Sequence, residues 1–253
     1  MAGSRMKLSK RLEMVVSFVE KGSRIADVGT DHGYVPIVLV ERGIASEGIA
    51  MDVREGPLER AREHIRVHGL DKVIHTRLCD GVKGLKDGEA DTVVIAGMGG
   101  ELVIHILEDG KRLWGQVKHW ILSPQSEIYK VRKFLGKNGF LIGKEEMVKD
   151  EGKYYTIMDV TPGKTENMPP WEMMYGPCLV KQGHPVLREF LMKEQTILQG
   201  ILKGLKEQDG EGARRRKAEL KEQLDWVEKA LEYGEGTAEH GRRMPKTDEG
   251  KNS

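Results

Sequence analysis

The stretch Asp27-Val-Gly-Thr-Asp-His-Gly33 sets two carboxylates, an imidazole and two glycines close together. Glycines let a turn bend sharply and approach a ligand closely. The carboxylates give that approach a sign. A pyrophosphate in a G-x-G-x-x-G turn needs the second glycine where backbone and phosphate touch. Counted from Gly29, the second and third glycine positions hold Asp31 and Tyr34. Like charges about 4 Å apart repel by roughly 4 kcal/mol at an intermediate effective dielectric. A NAD-type pyrophosphate is therefore disfavoured. S-adenosylmethionine (SAM) has no phosphate and carries a sulfonium and an ammonium, which Asp27 and Asp31 suit. The residues alone favour a SAM methyltransferase over a NAD-linked oxidoreductase.

Other chemistry-bearing residues follow at strand ends. Asp52 lies about as far beyond Gly29 as the acid, roughly 20 residues on, that meets ribose hydroxyls; the plainer reading is a solvated strand-end aspartate. Asp80-Gly81 could meet the amine of an adenine or form a simple Asp-Gly turn. Gly97-Met-Gly-Gly100 implies close backbone approach at the same sheet edge as Asp31. Arg11 is read as a surface charge, with a reach to the ligand as the alternative. His64 and His68 stand one turn apart without a third ligand and read as a polar helix face, so no metal is expected. Cys79 and Cys178 read as ordinary small core residues.

These residues need elements to position them. Ile25–Gly29 reads as a buried strand, followed by the turn and an apolar helix from Tyr34 with Pro36 in its first turn. Before it, a helix capped by Ser9 carries Leu12, Val15, Val16 and Val19 at helical spacing. Strands are expected at 48–52, 73–78, 91–96 and 119–123, with helices after 55, after Gly100 and after a capping Ser126. Asp91-Thr-Val-Val-Ile-Ala96 is apolar throughout, as in a parallel sheet covered on both faces. Phe140–Val148 and Tyr154–Val160 read as a β-hairpin. Five parallel strands closed by a hairpin form the Rossmann-like α/β sheet of a class I SAM methyltransferase. A plain dinucleotide fold would add another parallel strand. Residues 161–170 are linker-like. Leu187, Leu191, Leu198, Ile201 and Leu205, then Leu220, Leu224, Val227 and Leu231, predict an antiparallel, coiled-coil-like helical hairpin broken at Asp209-Gly-Glu-Gly212. The expected organisation is a catalytic domain over 1–165, the hairpin over 166–233 and a polar, disordered tail over 234–253.

The chain is 253 residues long with a formal net charge of +1. No global charge draws it to nucleic acid, so any such contact must be concentrated locally. It has no signal-peptide pattern, no apolar run of membrane-spanning length and no cysteine framework, which fits a cytoplasmic protein.

Arg24–Pro36, Asp80-Gly81, Ile95-Ala-Gly-Met-Gly-Gly100, Leu122-Ser-Pro-Gln125 and Glu151-Gly-Lys-Tyr154 resemble the bacterial tRNA (adenine-22-N1)-methyltransferase family, TrmK. The resemblance covers roughly residues 7 to 163, with Val35 standing where leucine is expected before Pro36. It implies SAM as cofactor, tRNA as partner and methylation of N1 of adenine 22 in the D-arm region; no obligatory protein partner is evident in the sequence. Carried over by position, Asp27, Gly29, Asp31, Gly33, Asp52, Asp80, Gly81, Gly97 and Met98 would line the cofactor site. Asp31 is the candidate for stabilising the cationic product base or taking a proton from N6. His32 is a second candidate, or only orients Asp31. Gly99 and Gln125 sit where a flipped base would arrive. Arg214, Arg215, Arg216 and Lys217, with Arg5, Lys7 and Lys10, would track the tRNA backbone, although such a run is usually a solvated helix start. The alternatives are a methyltransferase of another RNA or small molecule and a non-catalytic SAM-binding scaffold.

Overall fold

The continuous apolar runs become the inner strands of one seven-stranded sheet. A computed structural model describes residues 6–164 and 168–243, with side chains described as far as 234. Along the chain come α1 (Lys10–Ser17), β1 (Ser23–Val28), α2 (Tyr34–Glu41), β2 (Ala45–Asp52), α3 (Glu55–Val67), β3 (Ile74–Leu78), β4 (Thr92–Ala96), α4 (Gly100–Asp109), β5 (His119–Ser123), α5 (Ile128–Lys137), β6 (Phe140–Asp150) and β7 (Lys153–Pro162). The strand order is β3-β2-β1-β4-β5-β7-β6. The first five strands are parallel, and β7 pairs antiparallel with both β5 and β6. The reversed β7 takes the place where a dinucleotide fold would continue in parallel. The methyltransferase-type sheet expected from the hairpin is what forms.

The order reverses between β1 and β4, so the carboxyl ends of these strands open the crevice where such sheets bind ligands. Helices α1 and α2 cover one face there. Val15, Val16 and Val19 meet Val35, Val38 and Leu39 over Ile25, Val94 and Ile121. Helix α3 closes the neighbouring part, with Ala61 and Ile65 against Ile37, Ala50 and Ile74. The β3-to-β4 connection has no helix and is tied by Arg77, which pairs with Glu89.

One cap differs from expectation. Ser126 does not cap α5; Glu127 does, at φ +54° and without a side-chain capping bond. Ser126 is spent earlier, its carbonyl accepting from the Gly100 N–H at 3.1 Å.

The chain divides into two compact units, Met1–Met168 and Pro169–Ser253, where the divide was expected after residue 165. The second unit contains α6 (Pro170–Tyr175), α7 (Pro177–Lys181), α8 (Pro185–Gly204) and α9 (Glu211–Arg243). Helices α8 and α9 pack together, and α6 and α7, too short to show a period, both pack on α9. Helix α9 also runs past 233, where the hairpin was expected to end. Gly234 permits close approach instead of ending the helix: a Cβ there would lie 3.2 Å from Gly183 Cα. The rest of the expected tail, 244–253, lies outside the described residues.

Candidate functional site

Asp27 lies one residue before the end of β1, and its side chain is almost fully enclosed. Burial pushes its carboxyl up to about 6, with the Asp52 charge adding to the rise. The Thr30 hydroxyl beside it works against that rise without reaching hydrogen-bond geometry. An Asp with a folded-state pKa raised above its unfolded value favours the fold at low pH. That contribution is complete below about 3.8 and is lost as pH rises through about 6. Above that window the buried charge costs about 3 kcal/mol. Asp27→Asn therefore raises the unfolding free energy measured in urea at pH 8 by up to about that amount, and gains little at pH 4. Equal gains at both pH values would reject a charged Asp27 as the source.

Past β1 the chain turns through Gly29, at φ +74°. The Gly29 and Thr30 amides both donate to the Met51 carbonyl, at 2.8 and 2.9 Å. A side chain on Gly29 would collide with the methyl end of Met98, which lies over it. Gly29, Asp52, Val53, Asp80, Met98 and Leu102 line one pocket. Val53 and Leu102 are 63% and 47% exposed. Apolar side chains left open on such a pocket suit a flat ring between them. Asp52 is buried, accepts the Arg54 N–H at 2.8 Å and lines the pocket, so it is not the solvated strand-end aspartate of the plainer reading. Asp80 is open to solvent and pairs with Lys83 at 2.6 Å, which also reaches Asp109 at 3.0 Å. Lys83 holds the Asp80 carboxyl below its ordinary value. Gly81 shares the pocket wall.

Asp31 projects outward, 64% exposed, with Oδ1 2.8 Å from Arg60 and 3.4 Å from His32 Nε2. His32 adopts φ +65°, and its buried Nδ1 has no hydrogen-bond partner. Gly33 starts α2 at φ +70°. Across the crevice the Gly97 N–H donates to Ser123 O at 3.1 Å, and the Gln125 N–H donates to Met98 O at 2.8 Å. These two bonds bind the β4 and β5 ends into one ledge. A Cβ on Gly97 would have Gln125 Nε2 at 3.8 Å and Arg11 Nη1 at 3.6 Å. Gly99 is the N-cap of α4.

Arg11 corrects the surface reading. Its guanidinium lies over Gly97 and 5.5 Å from the Tyr155 ring centroid, while its backbone N–H donates to Asp150 at 3.1 Å. Its Nη1 is buried and makes no hydrogen bond. Arg11 is half-buried, and a buried guanidinium nitrogen left without an acceptor is costly, so an anion would suit it. Ser123 Oγ, at the end of β5, is likewise buried and unpartnered. The unpartnered polar atoms of Arg11, His32 and Ser123 lie toward the carboxyl edge of the sheet. No sequence signal separated Arg11 from its basic neighbours, because α1 turns it inward through contacts with the distant β6 and β7.

His64 is a second correction: it contacts the turn rather than lying on a plain polar face, its Nδ1 2.9 Å from His32 O. His68 pairs separately with Glu41 at 2.6 Å. In the second unit, Lys217 donates to the carbonyls of Lys206 and Gln208, at 3.1 and 2.8 Å, and holds the α8–α9 turn. Arg215 and Arg216 make exposed pairs with Glu219. Lys7 and Lys10 are exposed in the first unit, and Arg5 lies outside the described residues.

Comparison with known proteins agrees with the fold. Residues 8–158 match the family model of a methyltransferase domain. The chain is 30% identical over 237 residues to the tRNA (adenine(22)-N(1))-methyltransferase of Bacillus subtilis (strain 168), covering 91% of this chain and all of that one. A Streptococcus pneumoniae protein solved in complex with SAM superposes with TM-score 0.80 at 34% identity, over 89% of this chain and 100% of the other. TrmK of M. capricolum, solved with S-adenosyl-homocysteine (SAH), gives a TM-score of 0.77 at 25% identity, over 90% of this chain and 99% of the other.

Proposed function

Because the chain belongs to the family of tRNA (adenine(22)-N1)-methyltransferases, we propose that it uses SAM to methylate N1 of adenine 22 in tRNA. The observation that carries the cofactor reading is the chemistry of the crevice. Buried Asp27, an open apolar clamp of Val53 and Leu102, and the unpaired guanidinium of Arg11 match in turn a cation, a flat ring and a carboxylate. SAM carries all three groups. The residues present therefore fit it.

In this reading Asp52 meets the ribose and Asp80-Gly81 the adenine edge, with Lys83 sharing the Asp80 charge. Gly29, Gly33, Gly97 and Met98 give the methionine portion its close backbone walls. Bound SAM supplies an electrophilic methyl group on a sulfonium. Adenine N1 already has its lone pair, so no general base is needed to begin. The protein's task is alignment. The ledge of Gly97, Gly99 and Gln125 positions the incoming base, and Asp31 and His32 face the charge that develops on it. The base must leave its stack to arrive there. Arg214, Arg215 and Arg216 are proposed to contact tRNA phosphates, whose binding is salt-dependent, whereas Lys217 is engaged by its own turn. No described helix is long and apolar enough to cross a membrane; we place the protein in the cytoplasm with its substrate.

The test is methyl transfer to unmodified tRNA transcripts, with mass mapping of the product. The expected product is 1-methyladenine at position 22, lost when that adenine is replaced. Methylation at another position or of another substrate would overturn the assignment. Tight SAM binding without transfer to any tRNA would favour a scaffold.

A further inference from the structure

Helix α3 grips the turn that carries Asp31 and His32. At φ +65°, His32 has a backbone conformation that side chains make costly and that persists only when its surroundings enforce it. Neighbouring positions of α3 meet successive residues of the turn. Arg60 reaches Asp31 Oδ1 at 2.8 Å. Ala61 abuts Gly33, 3.3 Å from where a Cβ would stand. His64 Nδ1 lies 2.9 Å from His32 O. Residues 60 and 64 are one turn apart, with 61 beside them, so all three share one side of the helix. The rings add to the hold: the His64 centroid is 5.3 Å from that of His32 and 5.4 Å from that of Tyr34, at interplanar angles of 19° and 11°. His32 and Tyr34 stack on each other at 5.1 Å.

We propose that His64 is a positioning residue for methyl transfer, fixing the His32 carbonyl through Nδ1–H and holding the turn in the backbone conformation that presents Asp31 and His32 to the reacting base. A carbonyl can only accept, so His64 Nδ1 carries the hydrogen. The inference rests on reading that turn as the catalytic one. Arg60 cannot substitute for His64: the Arg60–Asp31 pair is exposed on both sides, and such pairs hold weakly. The hydrogen bond to the backbone and the stacked rings constrain the turn directly.

Two variants separate the parts. His64→Phe keeps a ring and removes the donor; His64→Asn offers a donor near the Nδ1 position and removes the ring. The readouts are kcat and KM on tRNA transcripts, melting temperature, and amide hydrogen exchange of residues 31–34 in the SAH complex. His64→Phe is expected to lower kcat about tenfold, leave KM for tRNA and the melting temperature nearly unchanged, and speed exchange in the turn. His64→Asn is expected to recover most of the rate and the slow exchange. Unchanged kcat and exchange in His64→Phe, or a loss that follows melting temperature in both variants, would overturn the proposal. The exchange arm needs no RNA. If the parent protein methylates no tRNA, the functional assignment fails, while exchange still decides whether His64 holds the turn.

Discussion

Replacing Asp31 with alanine lowers kcat for tRNA methylation about a hundredfold, the scale of losing one preorganised electrostatic contact, and Asp31→Asn loses as much. Methyl transfer from a sulfonium to adenine creates no net charge; it moves a positive charge from sulfur to the base. A carboxylate equally near both ends would stabilise every state alike and leave the rate unchanged. Asp27 is placed for that uniform role, buried near the end of β1. Asp31 stands on the open side of the turn, 64% exposed, and in the proposed reading it faces the arriving base more than the buried cofactor. Its effect therefore grows as charge reaches the base. The expected signature is a loss in kcat with SAM affinity changed less than about threefold. Wild-type kcat in Asp31→Asn would remove Asp31 from the chemistry. A loss confined to SAM affinity would make it a cofactor contact.

Much of this site could be read from the chain because it is built from local signals. A strand ending in an acid, a glycine turn and a capped apolar helix are contiguous, so Asp27, Gly29, Asp31, Asp52 and Gly97 fell at the carboxyl edge where the strands ending at 28, 52 and 96 deliver them. The β-hairpin was legible from two strand-like runs around a charged turn, and it determined the reversed β7. What escaped depends on contacts distant in sequence. Arg11 is turned inward by α1 packing on the last two strands. His64 reaches a carbonyl 32 residues away. Helices α6 and α7 are too short to carry a period and form against α9. The sequence puts Gly234 at the start of the polar tail because its use, close approach to Gly183, is invisible along the chain.

Arg11→Ala is expected to weaken SAM binding by about 30- to 150-fold. This is the equivalent of the roughly 2–3 kcal/mol that hydrogen bonds to a charged group contribute at the upper end of their range. Arg11 Nη1 is buried and without a hydrogen-bond partner beside Gly97. Tyr155 offers its ring face to the guanidinium, and the Asp150 carboxylate takes the Arg11 backbone N–H. The cation is therefore held without a side-chain counter-anion. That arrangement costs stability unless a ligand supplies the anion, as strained functional sites commonly do. Arg11→Ala should accordingly leave the melting temperature of the ligand-free protein unchanged or raised. The carboxylate of SAM is the proposed anion, and decarboxylated SAM, which lacks it, is the probe. The parent protein should prefer SAM over that analogue by a factor close to the loss in Arg11→Ala, and the variant should bind the two nearly equally. Calorimetry with both ligands measures the four affinities. If the preference for SAM survives in Arg11→Ala while KM for tRNA rises, the guanidinium serves a phosphate of the bound RNA instead of the cofactor.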